Sequence, residues 1–275
     1  MENFIEKIQA SADYLKAKIS KDYKHGIILG SGLGNLTTQI NVHVQIPYHE
    51  IPNFPVSTVE GHKGSLIFGD LGGKNIVAMS GRFHYYEGYS MEQVTFPIRV
   101  MKFLGVHTLF ISNASGGMNA AFEVGDLMII TDHIYLQPEH PLRGKNYPEL
   151  GPRFPNMNFA YNPSMVQKGL EIAKENDITC HTGVYVGVQG PTFETPAEYK
   201  MFHLIGGDAV GMSTTPEVVV ARHMSMEVFA ISVISDVGYP FDKADHVSHA
   251  FVLEKATAAE PKMTKIIVEL LKSVE

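Results

Sequence analysis

Short apolar segments alternate along the chain with stretches in which apolar residues recur at helical spacing. The short segments are rich in β-branched side chains and run into glycine, serine or polar residues, a pattern typical of buried strands. Predicted strands of this kind lie at residues 26–29, 75–79, 108–112, 127–131, 183–188 and 228–234.

The segments between these strands favour helices. From Phe4 to Ile19, apolar residues return at intervals that place them on one helical face. Three later segments open on a proline, which is tolerated in the first turn of a helix. The further predicted helices are 91–104, 163–176, 196–205, 216–226 and 248–274. This alternation predicts an α/β protein whose sheet is covered by helices on both faces.

The longest irregular stretch, residues 137–162, is rich in proline, glycine, asparagine and charged residues. A loop of this length in a compact protein is usually functional, interfacial or mobile. It lacks the low complexity of a linker, and strand signals resume after it. We therefore expect residues 1–275 to form a single domain.

Composition narrows the class of protein. Of the 275 residues, 44% are hydrophobic and 19% charged, and the formal net charge of −7 argues against a nucleic-acid partner. The single cysteine, Cys180, excludes an internal disulfide and suits a reducing compartment. No signal peptide or long uncharged apolar stretch is evident, so we expect a soluble, cytoplasmic protein without a membrane partner.

Three predicted strands end in segments suited to binding a small anion. The first runs into Gly30-Ser31-Gly32-Leu33-Gly34, and a later one ends in Asn113-Ala114-Ser115-Gly116-Gly117. Between them, segment 80–88 places Arg82 and His84 after a buried strand, at the edge where open α/β sheets bind ligands. Arg82 is able to bind an oxyanion through two N–H groups. The structural alternative is a surface Arg82 paired with Glu87.

Two later motifs suit a heterocycle and a sugar. In segment 190–195, Phe193 offers an aromatic face beside the Glu194 carboxylate. In segment 211–217, hydroxyl and N–H groups at the predicted start of a helix suit an anion or a sugar. The structural alternative is that Ser213 or Thr214 caps the helix and Met212 fills the core.

Several other chemistries lack their motifs. The glycine fingerprint of dinucleotide-binding proteins is incomplete, because Asn35 stands where its third glycine is required. The Gly-x-Ser-x-Gly segment of serine hydrolases is absent. The 13 histidines include no His-Glu-x-x-His segment, so we expect no metal site.

Taken in series, these motifs resemble the trimeric purine nucleoside phosphorylases. The resemblance extends from Gly30 to about Val252 and is carried by Gly-Arg-Phe-His-x-Tyr-Glu-Gly at 81–88, Gly-Pro-x-Phe-Glu-Thr at 190–195 and Gly-Met-Ser-Thr-x-Pro-Glu-Val at 211–218. Segments 61–64 and 141–144 add to it. The resemblance implies a twisted, mixed central sheet, a homotrimer, and reversible phosphorolysis of purine nucleosides in purine salvage. It also implies that no cofactor is needed, because phosphate is itself the nucleophile.

The resemblance further implies roles for individual residues. The expected phosphate contacts are Ser31, His62, Arg82, His84, the Ala114 backbone and Ser213. The expected ribose and base contacts are Tyr86, Phe193, Glu194, Met212, Asp236 and His249, with Phe154 from a neighbouring subunit. Asp236, Glu194 and His84 are the expected catalytic groups.

One position departs from the pattern. Asp236 stands where relatives that prefer 6-oxopurines usually have asparagine, whereas the methylthioadenosine phosphorylases have aspartate there. An ionised carboxylate only accepts hydrogen bonds. Glu194 favours 6-oxopurines instead, because it accepts from N1–H, and adenosine-type relatives generally lack it. We expect inosine and guanosine as the main substrates; Asp236 serves them if burial and Glu194 raise its pKa so that it donates as a neutral acid. An adenosine or methylthioadenosine phosphorylase is the alternative.

Three rival functions stay open at this point. A nucleosidase of similar fold would use water, which makes an anion site built on Arg82 superfluous. A non-catalytic purine-binding module would bind inosine without turnover. A dinucleotide-dependent oxidoreductase would respond to NAD.

Overall fold

The computed structural model describes residues 3–56, 64–240 and 247–274. In these ranges the chain forms nine strands and seven α-helices. The strands are β1 (His25–Ile28), β2 (Asn41–Pro47), β3 (Ser65–Leu71), β4 (Lys74–Ser80), β5 (Thr108–Gly117), β6 (Leu127–Tyr135), β7 (Cys180–Gly187), β8 (Ala209–Gly211) and β9 (Glu227–Val237). The helices are α1 (Phe4–Lys16), α2 (Met91–Val94), α3 (Phe96–Phe103), α4 (Pro163–Glu175), α5 (Pro196–Leu204), α6 (Thr215–His223) and α7 (His249–Ser273).

The strands form one mixed sheet in the order β2-β3-β4-β1-β5-β8-β7-β6-β9. Strand β9 also pairs with β5, so the last five strands of this order close into a ring. Strand β1 runs parallel to β4 and β5, and β5 runs parallel to β9. The carboxyl ends of these four strands therefore meet at one edge of the sheet. The expected α/β fold with a mixed sheet is confirmed.

Alternate residues of the strands face two separate apolar cores. In β4, Val77 and Met79 belong to one core, whereas Ile76 and Ala78 belong to the other. Helices α1, α3 and α6 contribute side chains to the first core, and α4 and α7 contribute to the second. Helices thus cover both faces, and strands buried on both faces read as continuous apolar runs, which is why the sequence predicted them.

The predicted helix 91–104 is wrong in one respect, because the structure divides it into α2 and α3 at Thr95. Pro97 lies in the first turn of α3 and has no N–H group to donate to the preceding turn. The Thr95 hydroxyl donates to the Met91 carbonyl at 2.7 Å at the end of α2. Proline therefore begins a new helix here and does not continue the first one.

The long segment predicted as irregular, 137–162, contains neither helix nor strand. Two buried side chains hold it against the helices of the first core. Arg99 of α3 donates to the Pro141 carbonyl at 3.0 Å, and the His223 ring lies 3.0 Å from the Pro152 carbonyl. The backbone of this segment is thereby anchored, although its Phe154 side chain is 88% exposed.

Within the described ranges, the helices lack the apolar length needed to cross a bilayer.

Candidate active site

A cavity of about 430 Å³ opens at the edge of the sheet where β1, β4, β5 and β9 end. Eleven of the residues predicted from sequence line it: Ser31, Arg82, His84, Tyr86, Ala114, Phe193, Glu194, Met212, Ser213, Asp236 and His249. His62 lies outside the described residues. Phe154 does not line the cavity of its own chain, and its contribution to a neighbouring subunit stays a prediction.

Arg82 lies at one end of this cavity and is almost completely buried. Its Nε and Nη2 atoms donate to the two carboxylate oxygens of Glu217, at 2.8 and 3.0 Å. Its Nη1 atom donates to the Ser213 hydroxyl at 3.1 Å. The two-point contact with Glu217 fixes the guanidinium plane and directs its remaining edge toward Ser213. The partner of Arg82 is therefore Glu217 of α6, and the alternative pairing with Glu87 is not formed.

His84 pairs instead with Glu87. The backbone N–H of His84 donates to Glu87 Oε1 at 2.8 Å, and the Nδ1 atom of the ring lies 3.1 Å from the same oxygen. The imidazole also stacks on the Tyr86 ring, with centroids 4.7 Å apart and planes 16° apart. These contacts fix the orientation of both rings on the wall of the cavity.

Ser213 is held in place by an unusual backbone conformation at Thr214. This residue has φ +67° and ψ −56°, and the Thr215 N–H donates to the Ser213 carbonyl at 2.7 Å, which together make a strained γ-turn. The Thr214 hydroxyl accepts from the side-chain Nδ2 of Asn113 at 2.9 Å. The side-chain Oδ1 of Asn113 accepts from the Ser232 hydroxyl at 2.7 Å. A buried polar chain across three elements therefore stabilises the start of α6.

The sequence did not predict a role for the Asn113 side chain, because segment 113–117 was expected to contribute through its backbone. Segment 113–117 is the last part of β5 and continues the predicted strand through a register shift between Ser115 and Gly116. The signal in the sequence was the polar residue directly after an apolar run.

Two carboxyl groups, Glu194 and Asp236, line the same cavity. Asp236 is 3% exposed; its Oδ2 atom accepts from the Tyr199 hydroxyl at 2.9 Å and its Oδ1 atom from the Ser235 hydroxyl at 2.7 Å. Burial raises the pKa of Glu194 to about 7, and the nearby charge of Asp236 adds to the shift. Tyr199 was also missed, because an aromatic residue inside a predicted helix is typical of core packing.

The cavity therefore has two chemically different ends. Hydrogen-bond donors that suit an oxyanion come from Arg82, His84 and Ser213, while the carboxyl groups suit a ligand with N–H groups. Between them, Tyr86 and Met212 offer apolar surface, and His249 contributes an imidazole from the first residue of α7. Across the part of the chain that the structure describes, no group of three or more His, Cys, Asp or Glu residues is arranged to hold a metal ion.

Comparison with known proteins places this site in a family. Residues 24–272 match the model of the phosphorylase superfamily. Purine nucleoside phosphorylase 1 of Geobacillus stearothermophilus is 54% identical over 230 residues, which cover 84% of each chain. Two crystal structures of Schistosoma purine nucleoside phosphorylase, one with hypoxanthine and one with adenosine, each superpose with a TM-score of 0.93 at 41% identity and cover 98% of both chains. The chain therefore belongs to the phosphorylase superfamily and, within it, to the purine nucleoside phosphorylases.

Proposed function

We propose that the protein catalyses the reversible phosphorolysis of purine nucleosides and deoxynucleosides, with inosine and guanosine as the main substrates. The observation that carries this proposal is the buried Arg82–Glu217 pair, which aims the guanidinium and the Ser213 hydroxyl into a cavity that also holds two carboxyl groups. The products are the free purine and ribose 1-phosphate. Relatives named as purine nucleoside phosphorylases support the same reaction.

Phosphate binds at the Arg82 end of the cavity in this proposal. Arg82, His84, Ser31 and Ser213 donate to its oxygens, with the Ala114 backbone beside them, and His62 belongs to the same set by family resemblance. The positive end of the α6 dipole adds to this attraction, because Ser213 stands at the N-terminus of that helix. Glu217 and Glu87 accept from Arg82 and His84, so the donors are oriented before phosphate arrives.

The chemistry is a substitution at C1′ of the ribose. A phosphate oxygen forms a bond to C1′ while the bond from C1′ to N9 of the purine breaks, and the bonding electrons leave with the base. Negative charge then builds on the purine; the base takes up one proton as it departs, and the ribose 1-phosphate formed from hydrogen phosphate releases one. Donors already fixed in a water-poor cavity stabilise charge that develops in the transition state, and this lowers the barrier. The step requires neither a covalent enzyme intermediate nor a cofactor.

The purine lies at the carboxyl end of the cavity. Its ring packs near Phe193, and Glu194 accepts from the N1–H group of a 6-oxopurine. The ribose lies against Tyr86 and Met212, and His249 reaches the 5′-hydroxyl. Asp236 faces the edge of the purine that carries N7 and the 6-substituent.

A second copy of the chain completes the site in a homotrimer. Phe154 supports this part of the proposal, because a large aromatic side chain that is 88% exposed on an anchored segment is suited to an apolar contact outside its own chain. A trimer delivers this ring to the cavity of the neighbouring subunit. The expected place of the enzyme is cytoplasmic purine salvage, and this stays a prediction.

A panel of nucleosides tests the function directly. Inosine, guanosine, xanthosine, adenosine and methylthioadenosine are each incubated with the enzyme, with and without phosphate, and free base and ribose 1-phosphate are quantified. We expect base release from inosine and guanosine that requires phosphate and yields equal amounts of ribose 1-phosphate. Release at the same rate without phosphate would indicate a nucleosidase, and binding of inosine without turnover would indicate a binding module.

A further inference from the structure

The Tyr199 side chain packs directly against two glycines, Gly116 and Gly238, where any larger residue would collide with it. A Cβ atom at Gly238 would collide with the Tyr199 ring, and one at Gly116 would collide with its hydroxyl. Tyr199 is 5% exposed, and its hydroxyl donates to Asp236 Oδ2 at 2.9 Å. The ring is therefore confined to one position, which fixes the hydroxyl against the Asp236 carboxylate.

The hydrogen bonds around Asp236 favour its ionised form. Each of its two carboxylate oxygens accepts from a hydroxyl group, Oδ2 from Tyr199 and Oδ1 from Ser235 at 2.7 Å. Hydrogen bonds donated to a carboxylate stabilise the anion relative to the neutral acid. This arrangement differs from the expectation that Asp236 acts as a neutral acid.

Glu194 lies beside the same hydroxyl but is less well supported as an anion. The Tyr199 hydroxyl donates to Asp236 Oδ2. A backbone hydrogen bond and the contact with Tyr199 lower the pKa of Glu194 by less than burial raises it. Glu198 on α5 adds a like charge, although its carboxylate is engaged by the Thr195 N–H at 2.7 Å. Burial and the charge of Asp236 raise the pKa of Glu194 to about 7. The other titratable groups on the cavity wall are Arg82, His84 and Tyr86, toward the phosphate and ribose, and His249 of α7, which stands on the ribose side in the proposed function.

We propose that Tyr199 is a specificity-determining residue that selects between two classes of purine nucleoside. By donating its proton to Asp236 it keeps that group ionised and leaves Glu194 as the carboxyl group that exchanges a proton. A protonated Glu194 beside an ionised Asp236 suits a 6-aminopurine nucleoside, and an ionised Glu194 suits a 6-oxopurine nucleoside. The inference rests on the proposed function and adds a second substrate class to that site.

The two bases present opposite patterns to these carboxyl groups. In adenine, N1 accepts a hydrogen bond and the 6-amino group donates, which matches a protonated Glu194 and an ionised Asp236. In hypoxanthine and guanine, N1 carries a hydrogen, which matches an ionised Glu194, whereas the 6-oxo group accepts and finds no donor in an ionised Asp236. One proton on Glu194 therefore reverses which base is matched at N1.

The test is the ratio of kcat/KM for adenosine to kcat/KM for inosine, measured on the native enzyme between pH 6 and pH 8 with the same phosphate concentration. Ionisation of phosphate, or of any other group that acts alike on both substrates, cancels in the ratio. One class requires the protonated and the other the ionised Glu194, so the ratio is expected to fall about tenfold per pH unit. A ratio that does not change with pH would overturn the inference. Absence of phosphate-dependent turnover of both nucleosides would instead overturn the proposed function.

Two variants assign the effect to its residues. In Tyr199→Phe, Asp236 loses a donor and takes a share of the proton, so the adenosine-to-inosine ratio at pH 7 is expected to fall at least about tenfold. The matched control is Tyr161→Phe, since Tyr161 is also buried, its hydroxyl contacts His133 at 3.1 Å, and it does not line the cavity. An unchanged ratio in Tyr199→Phe, or an equal shift in the control, would refute the role of Tyr199.

Glu194→Gln keeps the test decisive even if Tyr199→Phe does not fold. Glutamine has both a donor and an acceptor and does not titrate, so the ratio in this variant is expected to be independent of pH. A Glu194→Gln enzyme that retains the pH dependence of the native ratio would show that another group selects the base.

Discussion

Arg82 and Glu217 form a two-point ion pair at 2.8 and 3.0 Å, and both side chains are only 2% exposed. The charges of these two buried groups compensate each other, so the main effect of the pair is to fix the orientation of the Arg82 guanidinium. It presents one edge of the guanidinium to the cavity and fixes it there. Removal of either partner leaves the other charge buried and uncompensated, which costs about 3–5 kcal/mol of stability.

Arg82→Lys is therefore a better probe of the phosphate subsite than Arg82→Ala. Lysine retains a positive charge opposite Glu217 but loses the planar, two-point geometry. We expect the KM for phosphate to rise at least about tenfold, with a smaller change in the KM for inosine. Steady-state kinetics with each substrate varied in turn measure this, and Arg143→Lys, at an exposed arginine, is the control. A phosphate KM equal to that of the native enzyme would contradict the assignment.

Asn113→Ala is expected to lower stability and to impair phosphate use together. The change removes the acceptor of the Ser232 hydroxyl, at about 1–3 kcal/mol for an unsatisfied buried group, and leaves the Thr214 hydroxyl with only its contact to Ser213. Because Thr214 holds the strained γ-turn before α6, we also expect Ser213 to lose its position. Urea denaturation and phosphate kinetics measure the two effects. Full stability with a normal KM for phosphate would show that the polar chain does not support this turn.

The ionisation of Glu194 predicts how stability depends on pH. Its pKa is raised from 4.5 to about 7 in the folded protein, so the native state binds this proton more tightly than the unfolded chain does. The resulting stabilisation is fully present below about pH 4.5 and is lost as pH rises through about 7. Glutamine does not titrate, so Glu194→Gln does not lose stability in this way. As pH rises from about 5 to about 8, the free energy of unfolding of the variant is therefore expected to rise by about 1–3 kcal/mol relative to that of the native protein.

Denaturant unfolding of both proteins at several pH values measures this difference. A constant difference in the free energy of unfolding across the range would show that Glu194 titrates alike in the folded and unfolded states. The comparison uses only the difference between two proteins, so groups that titrate in both of them cancel.

Phe154→Ala tests whether a second copy completes the site. The side chain is 88% exposed in the single chain, so its truncation has little effect on the fold itself. We expect the KM for inosine to rise about tenfold if the ring covers the base of a neighbouring subunit, while the midpoint of thermal unfolding changes little. Leu204→Ala, at another largely exposed apolar residue of 73% exposure, is the control. Sedimentation at several protein concentrations establishes whether the active species is a trimer.

Periodicity in the sequence was sufficient to predict most of the helices and the strands that are buried on both faces. It missed β2, β3 and β8 for different physical reasons. Strand β2 is largely exposed and β8 spans only three residues, so neither produces a clear apolar run. Strand β3 is buried and joins β4 through Gly72 and Gly73 in a tight hairpin, but Gly69 and Asp70 interrupt its apolar run after three residues.

The sequence by itself determined where the polar and glycine-containing motifs lie, because they follow apolar runs whose positions depend only on local periodicity. Only the tertiary structure decided which of them act together. Arg82 meets Glu217 across 135 positions of the chain and Asn113 meets Thr214 across 101. Tyr199 meets Asp236 because two glycines leave space for its ring. Such pairings arise from the closure of the sheet, and strand order and closure are properties of the whole chain that no local pattern encodes.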